Sequence, residues 1–302
     1  MEHRRLGRTE LQVSSIGMGC VTFGREIDEQ TSFRVLDHAI ECGINLLDTA
    51  EAYASGASET VLGRWIASRN TRDRVVLATK VTAPLSRTRI VESVEASLKR
   101  LQTDRIDLFQ LHVWDTEIPL EETLGTLTDL VQQGKLHYIG CSNWSAWQLA
   151  KALLASGESG FSRIESVQPP YNLVQREIEP DLLPLCADQD IGVISYSPLG
   201  AGFLTGKYHR EAEVPIGTRF DVIPGHQPIY FTENGWRTME AARRLADEAG
   251  CSMIRLALAW VFDNPHVTSV LVGARKPEHV DQAIEAQNDP LAGDLRERMA
   301  GL

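Results

Sequence analysis

Two rhythms alternate along this chain. Short runs that are apolar on both faces, such as Leu46-Leu47 and Val75-Val76-Leu77-Ala78, give way to longer stretches whose apolar residues recur at helical spacing. Ile90, Val94, Leu98 and Leu101 mark one such helix, and Leu120, Leu124, Leu127 and Val131 another, with Gly134 as its stop. Strands are expected at 15–19, 44–48, 75–80, 106–112, 138–141, 166–168, 192–196 and 269–273. Ahead of them, residues 4–7 and 10–14 read as a hairpin turning at Gly7-Arg8-Thr9. Ser58 is the expected N-cap of the second helix, and Asn234 that of a helix beginning near Gly235.

Strands that alternate with helices at intervals of roughly 30 residues are βα units, and even spacing favours closure over an open sheet split into halves. The expected fold class is therefore α/β: a single (β/α)8 TIM barrel over 1–302, with the hairpin plugging one rim. Two features depart from the plain repeat: extra helices near 235–249 and 252–264, and a loop over 198–233 rich in Gly, Pro and aromatic residues. So long a loop in a compact domain is usually functional.

A formal charge of −11 argues against a nucleic-acid or anionic-membrane surface while leaving room for a local basic pocket. The five cysteines never form Cys-x-x-Cys, so neither a disulfide scaffold nor a zinc site is suggested, and no metal is expected. Without an apolar leader or a run able to span a membrane, the expected location is the cytoplasm.

Three successive strands close on ionisable residues. If they lie parallel, Asp48, Lys80 and His112 meet at one rim, with Tyr53 five residues beyond the first strand. Each residue alone has an ordinary structural reading; it is their joint occurrence that points to chemistry. A phenol titrates near pH ~10, and an ammonium about 4 Å away is worth roughly 4 kcal/mol at an effective dielectric near 20, enough to lower that value by up to about three units. Lys80, held by Asp48, is expected to tune Tyr53 in this way while His112 orients a carbonyl. Later strand ends supply Ser142, Asn143 and Gln168 to grip a carboxamide and Tyr196 to stack on a ring. Arg275 and Lys276 precede a helix start near Pro277, a combination suited to phosphate. The aromatics Trp114, Phe203, Phe220, Tyr230, Phe231 and Trp236 have two equal readings, lining an apolar pocket or packing together.

As an ordered set, these motifs resemble the aldo-keto reductase family over nearly the whole chain. The matching residues are Asp48-Thr49-Ala50-Glu51-Ala52-Tyr53, Gly56-x-Ser58-Glu59-x-x-Leu62-Gly63, Thr79-Lys80, Leu111-His112, Gly140-Cys141-Ser142-Asn143, Gln168-Pro169-Pro170-Tyr171-Asn172, Tyr196-Ser197-Pro198-Leu199, Leu204-Thr205-Gly206-Lys207-Tyr208 and Gly273-Ala274-Arg275. The resemblance implies NADPH bound across the barrel rim, and Gly17, Gly19 and Gly24 indeed miss the Gly-x-Gly-x-x-Gly fingerprint of the alternative dinucleotide fold. It also implies Tyr53 as general acid with Asp48, Lys80 and His112 in support, acting on a small-molecule carbonyl compound.

Further cofactor contacts implied are Cys20, Val21, Ser197, Pro198, Leu199, Gly202 and Lys207, Arg219 beside the pyrophosphate, Gly273, Arg275 at the 2′-phosphate, His279 and Gln282. The branch it resembles, with a long loop after strand seven, reduces aldehydes and ketones. Where relatives carry Glu-Asn for the adenine, this chain has Gln282-Ala283, which implies looser contacts and leaves NADH open as a cofactor. Two other readings compete: a Schiff-base aldolase using Lys80, and an NADPH-binding sensor with little turnover like the family's ion-channel-associated branch. Oligomeric state is left open.

Overall fold

The structure is a computed structural model describing residues 1–302. Strands β1 (His3–Arg5) and β2 (Gln12–Ser14) form the antiparallel hairpin. Eight parallel strands then close a barrel: β3 (Ile16–Gly19), β4 (Leu46–Asp48), β5 (Val76–Val81), β6 (Ile106–Leu111), β7 (Leu136–Ser142), β8 (Ile164–Gln168), β9 (Gly192–Ser195) and β10 (Ser269–Val272), with β10 returning to β3. The expected fold class and all eight expected strands are present.

Closure follows from burial on both strand faces. Inward residues Leu46, Val76, Ala78, Leu108, Ile194 and Leu271 fill the lumen, while alternate residues such as Leu47, Leu77, Phe109 and Val167 pack outward under the helices. Leu6 and Val13 of the hairpin join the inner cluster from the amino end of the strands, so the hairpin does plug the rim opposite the strand carboxyl ends. Gly7 makes that docking possible: its φ is +55°, and a Cβ there would sit 2.5 Å from the Glu165 carbonyl oxygen.

Helices α1 (Glu29–Glu41), α2 (Ala57–Arg69), α3 (Arg87–Leu101), α4 (Leu120–Gln132), α5 (Ala146–Ser159) and α6 (Leu182–Gln189) follow successive barrel strands. Two expected caps are corrected. Helix α2 starts after Gly56, whose φ is +87°, and Ser58 lies inside it; the Ser58 hydroxyl instead donates to the Cys20 carbonyl at 2.7 Å and pairs with Thr49 Oγ1 at 2.9 Å. Tertiary partners outcompeted the local cap.

Within the long loop, α7 (Arg219–Val222) and α8 (Gln227–Tyr230) are single turns, followed by α9 (Glu233–Glu248) and α10 (Met253–Phe262). Thr232, not Asn234, caps α9, accepting from the Gly235 amide at 3.0 Å. After β10 come α11 (Pro277–Asn288) and a terminal α12 (Gly293–Ala300), which the hydrophobic pattern did not announce. No helix is long and apolar enough to cross a membrane.

Candidate active site

Register decides which side chains share a layer. Asp48 pairs with Ala78, Lys80 with Gln110, Gln110 with Gly140, and Ser142 with Gln168. Because side chains alternate along a strand, these pairings put Asp48, Lys80, Gln110, Ser142 and Gln168 on the inner face at the carboxyl end. Gly140 is the spacer: a Cβ there would press within 2.4 Å of Ser166 Oγ and 3.2 Å of Gln110 Cγ.

The buried Lys80 ammonium spends all three protons. It donates to Asp48 Oδ1 at 2.5 Å, to the Thr49 carbonyl at 2.8 Å and to the Tyr53 hydroxyl at 3.3 Å. Burial opposes its charge, yet Asp48 and Tyr53 more than offset that, so Lys80 titrates above its ordinary value. Asp48 Oδ2 accepts from Gln168 Nε2 at 2.8 Å and Gln110 Nε2 at 3.1 Å, which satisfies the other half of the carboxylate. Gln110 was missed in the sequence. Its only signal was an amide in the otherwise strand-like run Leu108-Phe109-Gln110-Leu111, a polar group that needs a buried partner.

Tyr53 arrives through a tight turn in which Ala54, Ser55 and Gly56 all adopt left-handed φ, at +49°, +54° and +87°. Such conformations in non-glycine residues persist where surrounding contacts impose them. Glu51 anchors this turn, accepting from Ser93 Oγ at 2.7 Å, the Thr82 amide at 3.0 Å and Arg89. The expectation that Lys80 lowers the phenol is corrected: burial raises Tyr53 above its ordinary value, and the Lys80 charge only partly opposes it. The phenol is thus protonated at neutral pH. Since its oxygen accepts from Lys80, its own proton is free for another acceptor.

His112 meets Tyr53 edge-on, with ring centroids 5.8 Å apart. Burial, with Lys80 adding to it, depresses the imidazole to about 4, so it is neutral near pH 7. Its Nδ1 is buried without a partner, which leaves Nε2 as the nitrogen available to a ligand.

The carboxamide-gripping trio is already wired. Ser142 Oγ donates to the Gln168 carbonyl at 2.8 Å. Asn143 Nδ2 donates to the His112 carbonyl at 2.9 Å, and Asn143 Oδ1 accepts from the Tyr196 hydroxyl at 2.8 Å. With both Gln168 amide protons engaged by Asp48 and Gln110, what Gln168 has left to offer is an acceptor oxygen.

A cleft of about 880 Å³ runs from Tyr53, Asp48 and His112 past this trio to a cationic far end. Val21, Ser197, Pro198, Leu199, Gly202, Lys207, Arg219, Gly273, Arg275, His279 and Gln282 line it as well. Three named residues do not line it: Lys80 lies behind Tyr53, Cys20 is fully buried with its thiol turned to the Met18 carbonyl at 3.6 Å, and Lys276, unlike its neighbour Arg275, stays outside the lining. The six aromatics do not line it either, which decides against the pocket-lining reading and for packing. Phe203, Phe220, Tyr230, Phe231 and Trp236 pack on one another, Phe203 and Trp236 at 4.9 Å and Phe220 and Phe231 at 5.0 Å, and so give the long loop its own core. Trp114 stands edge-on to Trp144 at 4.7 Å.

At the cationic end, Glu26 is a further residue that sequence reasoning missed. Its carboxylate sits 2.7 Å from Arg25, 2.9 Å from Arg219 and 4.0 Å from Arg275, and although burial works against it these guanidiniums hold it below the usual carboxylate range. Lys207 has no carboxylate within salt-bridge distance, and burial together with Arg275 lowers its ammonium. Helix α11 begins with no side-chain cap, and a Cβ at Gly273 would enter open space. Under-neutralised cations, a bare helix N-terminus and a glycine that leaves volume free are what a phosphate-bearing dinucleotide requires, so these residues fit one.

Residues 15–299 match the family model described as the aldo/keto reductase family. The chain is 36% identical over 305 residues to "Uncharacterized oxidoreductase YrpG" of Bacillus subtilis (strain 168), covering 95% of this chain and 91% of that protein. It is likewise 36% identical over 302 residues to "Aldo-keto reductase YhdN" of the same organism, at 94% and 88% coverage. A "Probable voltage-gated potassium channel subunit beta" of Arabidopsis thaliana is 33% identical over 300 residues, at 95% and 91%. Barrel, rim layer and these likenesses agree: the chain is an oxidoreductase belonging to the aldo/keto reductase family.

Proposed function

We propose that this protein reduces aldehydes or ketones to alcohols reversibly with NADPH, Tyr53 delivering the proton. The dinucleotide, when bound, supplies the hydride. Asp48 keeps Lys80 charged; Lys80 steadies the oxygen of Tyr53 as its proton leaves; neutral His112 donates from Nε2 to hold the substrate oxygen beside the phenol. Ser142, Asn143 and Gln168 would hold the carboxamide, Tyr196 would stack on the ring, and Arg275 with Lys207 and Arg219 would meet the phosphates. The observation that carries this reading is the 3.3 Å bond in which Tyr53 accepts from Lys80 and so keeps its own proton for a ligand.

The Schiff-base alternative has little support. A lysine with every proton engaged and no exposure is not placed to attack a carbonyl. A sensor with little turnover is the second reading, favoured by the likeness to the channel-subunit relative. Mixing the protein with NADPH and a panel of aldehydes, ketones and sugars distinguishes the two, because an enzyme consumes NADPH in steady state and a sensor only binds it. In the enzyme, Tyr53→Phe lowers kcat by about a thousandfold with cofactor affinity unchanged. Turnover surviving that change defeats the proton-donor assignment.

A further inference from the structure

Outside the cleft, helices α1 and α11 bring three metal-ligating side chains together. His38 and Cys42 are four residues apart at the end of α1, and Asp281 reaches them from α11. His38 Nε2 is 2.6 Å from Asp281 Oδ1 and 3.7 Å from Cys42 Sγ, and the three donor atoms lie within 4.8 Å of one another. All three residues are half-buried, which leaves a path from solvent.

The geometry separates two chemistries. In a hydrolytic Cys-His-Asp triad, thiol and carboxylate bind opposite nitrogens of the imidazole. Here both converge on Nε2, which no triad can use. Convergence on one point is instead what a shared cation demands. Tetrahedral zinc, with Zn–N near 2.05 Å, Zn–S near 2.3 Å and Zn–O near 2.1 Å, separates nitrogen from sulfur by about 3.6 Å and nitrogen from oxygen by about 3.4 Å. The sulfur already stands at that spacing. The Asp281 oxygen has to retreat by less than about 1 Å from its present hydrogen bond, and its side chain is 47% exposed and free to do so.

We propose that His38, Cys42 and Asp281 form a site for Zn²⁺ or a similar borderline divalent cation, with water at the fourth position. On binding, the Cys42 thiol releases its proton to solvent and the thiolate joins the metal, while the imidazole proton that His38 Nε2 shares with Asp281 moves to Nδ1 through solvent, freeing the Nε2 lone pair and the Asp281 oxygen for the ion. A mixed imidazole, thiolate and carboxylate set suits zinc better than calcium or magnesium, which take oxygen ligands. The ion would staple α1 to the first turns of α11, where His279 and Gln282 flank Asp281 and line the cleft. A search for paired cysteines does not see this site, because it is a helical His-x-x-x-Cys completed by a carboxylate from the far end of the chain.

The test uses the full-length, metal-free protein titrated with Zn²⁺ by calorimetry and with Co²⁺ by absorption. One equivalent is expected to bind, with a thiolate-to-cobalt charge-transfer band, and a hundredfold excess of Zn²⁺ over its Kd should raise Tm by about 5 °C. Cys42→Ser should abolish the band, and Asp281→Asn, a surface change that spares the fold, should weaken Zn²⁺ binding at least about tenfold. Absence of binding, an unchanged affinity in Asp281→Asn, or a band persisting in Cys42→Ser overturns the proposal.

Discussion

The two ends of the cleft are built by opposite means. At the Tyr53 end every charge is borne by a strand or locked to one: Lys80 spends three protons, and Asp48 takes three hydrogen bonds on its two oxygens. At the cationic end the groups ride on loops, and Glu26 alone faces Arg25, Arg219 and Arg275 while Lys207 goes without a carboxylate. A satisfied network in a low-dielectric interior is rigid and holds geometry for a reaction. An under-neutralised cluster stores repulsion that an arriving anion relieves. Rigid support and unneutralised charge thus sit at opposite ends of one cleft.

Lys80→Met is the strongest way to break that comparison. It strands Asp48 in the interior with two amide donors, and the expected loss is about 3–5 kcal/mol of unfolding free energy in denaturant titrations, with turnover falling too. A near-wild-type midpoint would mean that the pair is not the rigid support described. At the other end, Arg275→Ala should leave stability within about 0.5 kcal/mol of the parent while weakening NADPH binding about tenfold, with little effect on NADH. Fluorescence titration at two salt concentrations checks it, since the lost contact should also flatten the salt dependence. Equal losses for both cofactors would move Arg275 away from the 2′-phosphate.

A smaller effect concerns His112. Its folded-state value of about 4 lies below the ordinary histidine range, so folded and unfolded chains bind the same protons above pH ~6.5. As pH falls from there toward 4, the unfolded chain takes up a proton that the folded one refuses, and stability declines. His112→Asn should therefore show a shallower fall of Tm over that window than the parent. Identical slopes would mean that the imidazole is not held neutral.

The alternation of apolar runs with helical spacing determined the barrel, because strands buried on both faces and helices with one apolar stripe have few ways to cover one another. Asp48, Tyr53, Lys80 and His112 were legible for the same reason: parallel strands must all end on one rim. What the sequence could not determine is whatever depends on register or on residues far apart in the chain. Gln110 matters because its pairing with Gly140 turns it toward Asp48, and Glu26 because loop closure sets it among three guanidiniums. The loop aromatics had equal reason to line a pocket or to pack together; only folding, which buries their area against one another, decided for packing. The direction of the Tyr53 shift was decided in the same way, since a charge can be read in the sequence while the dielectric around a phenol is a property of everything packed against it.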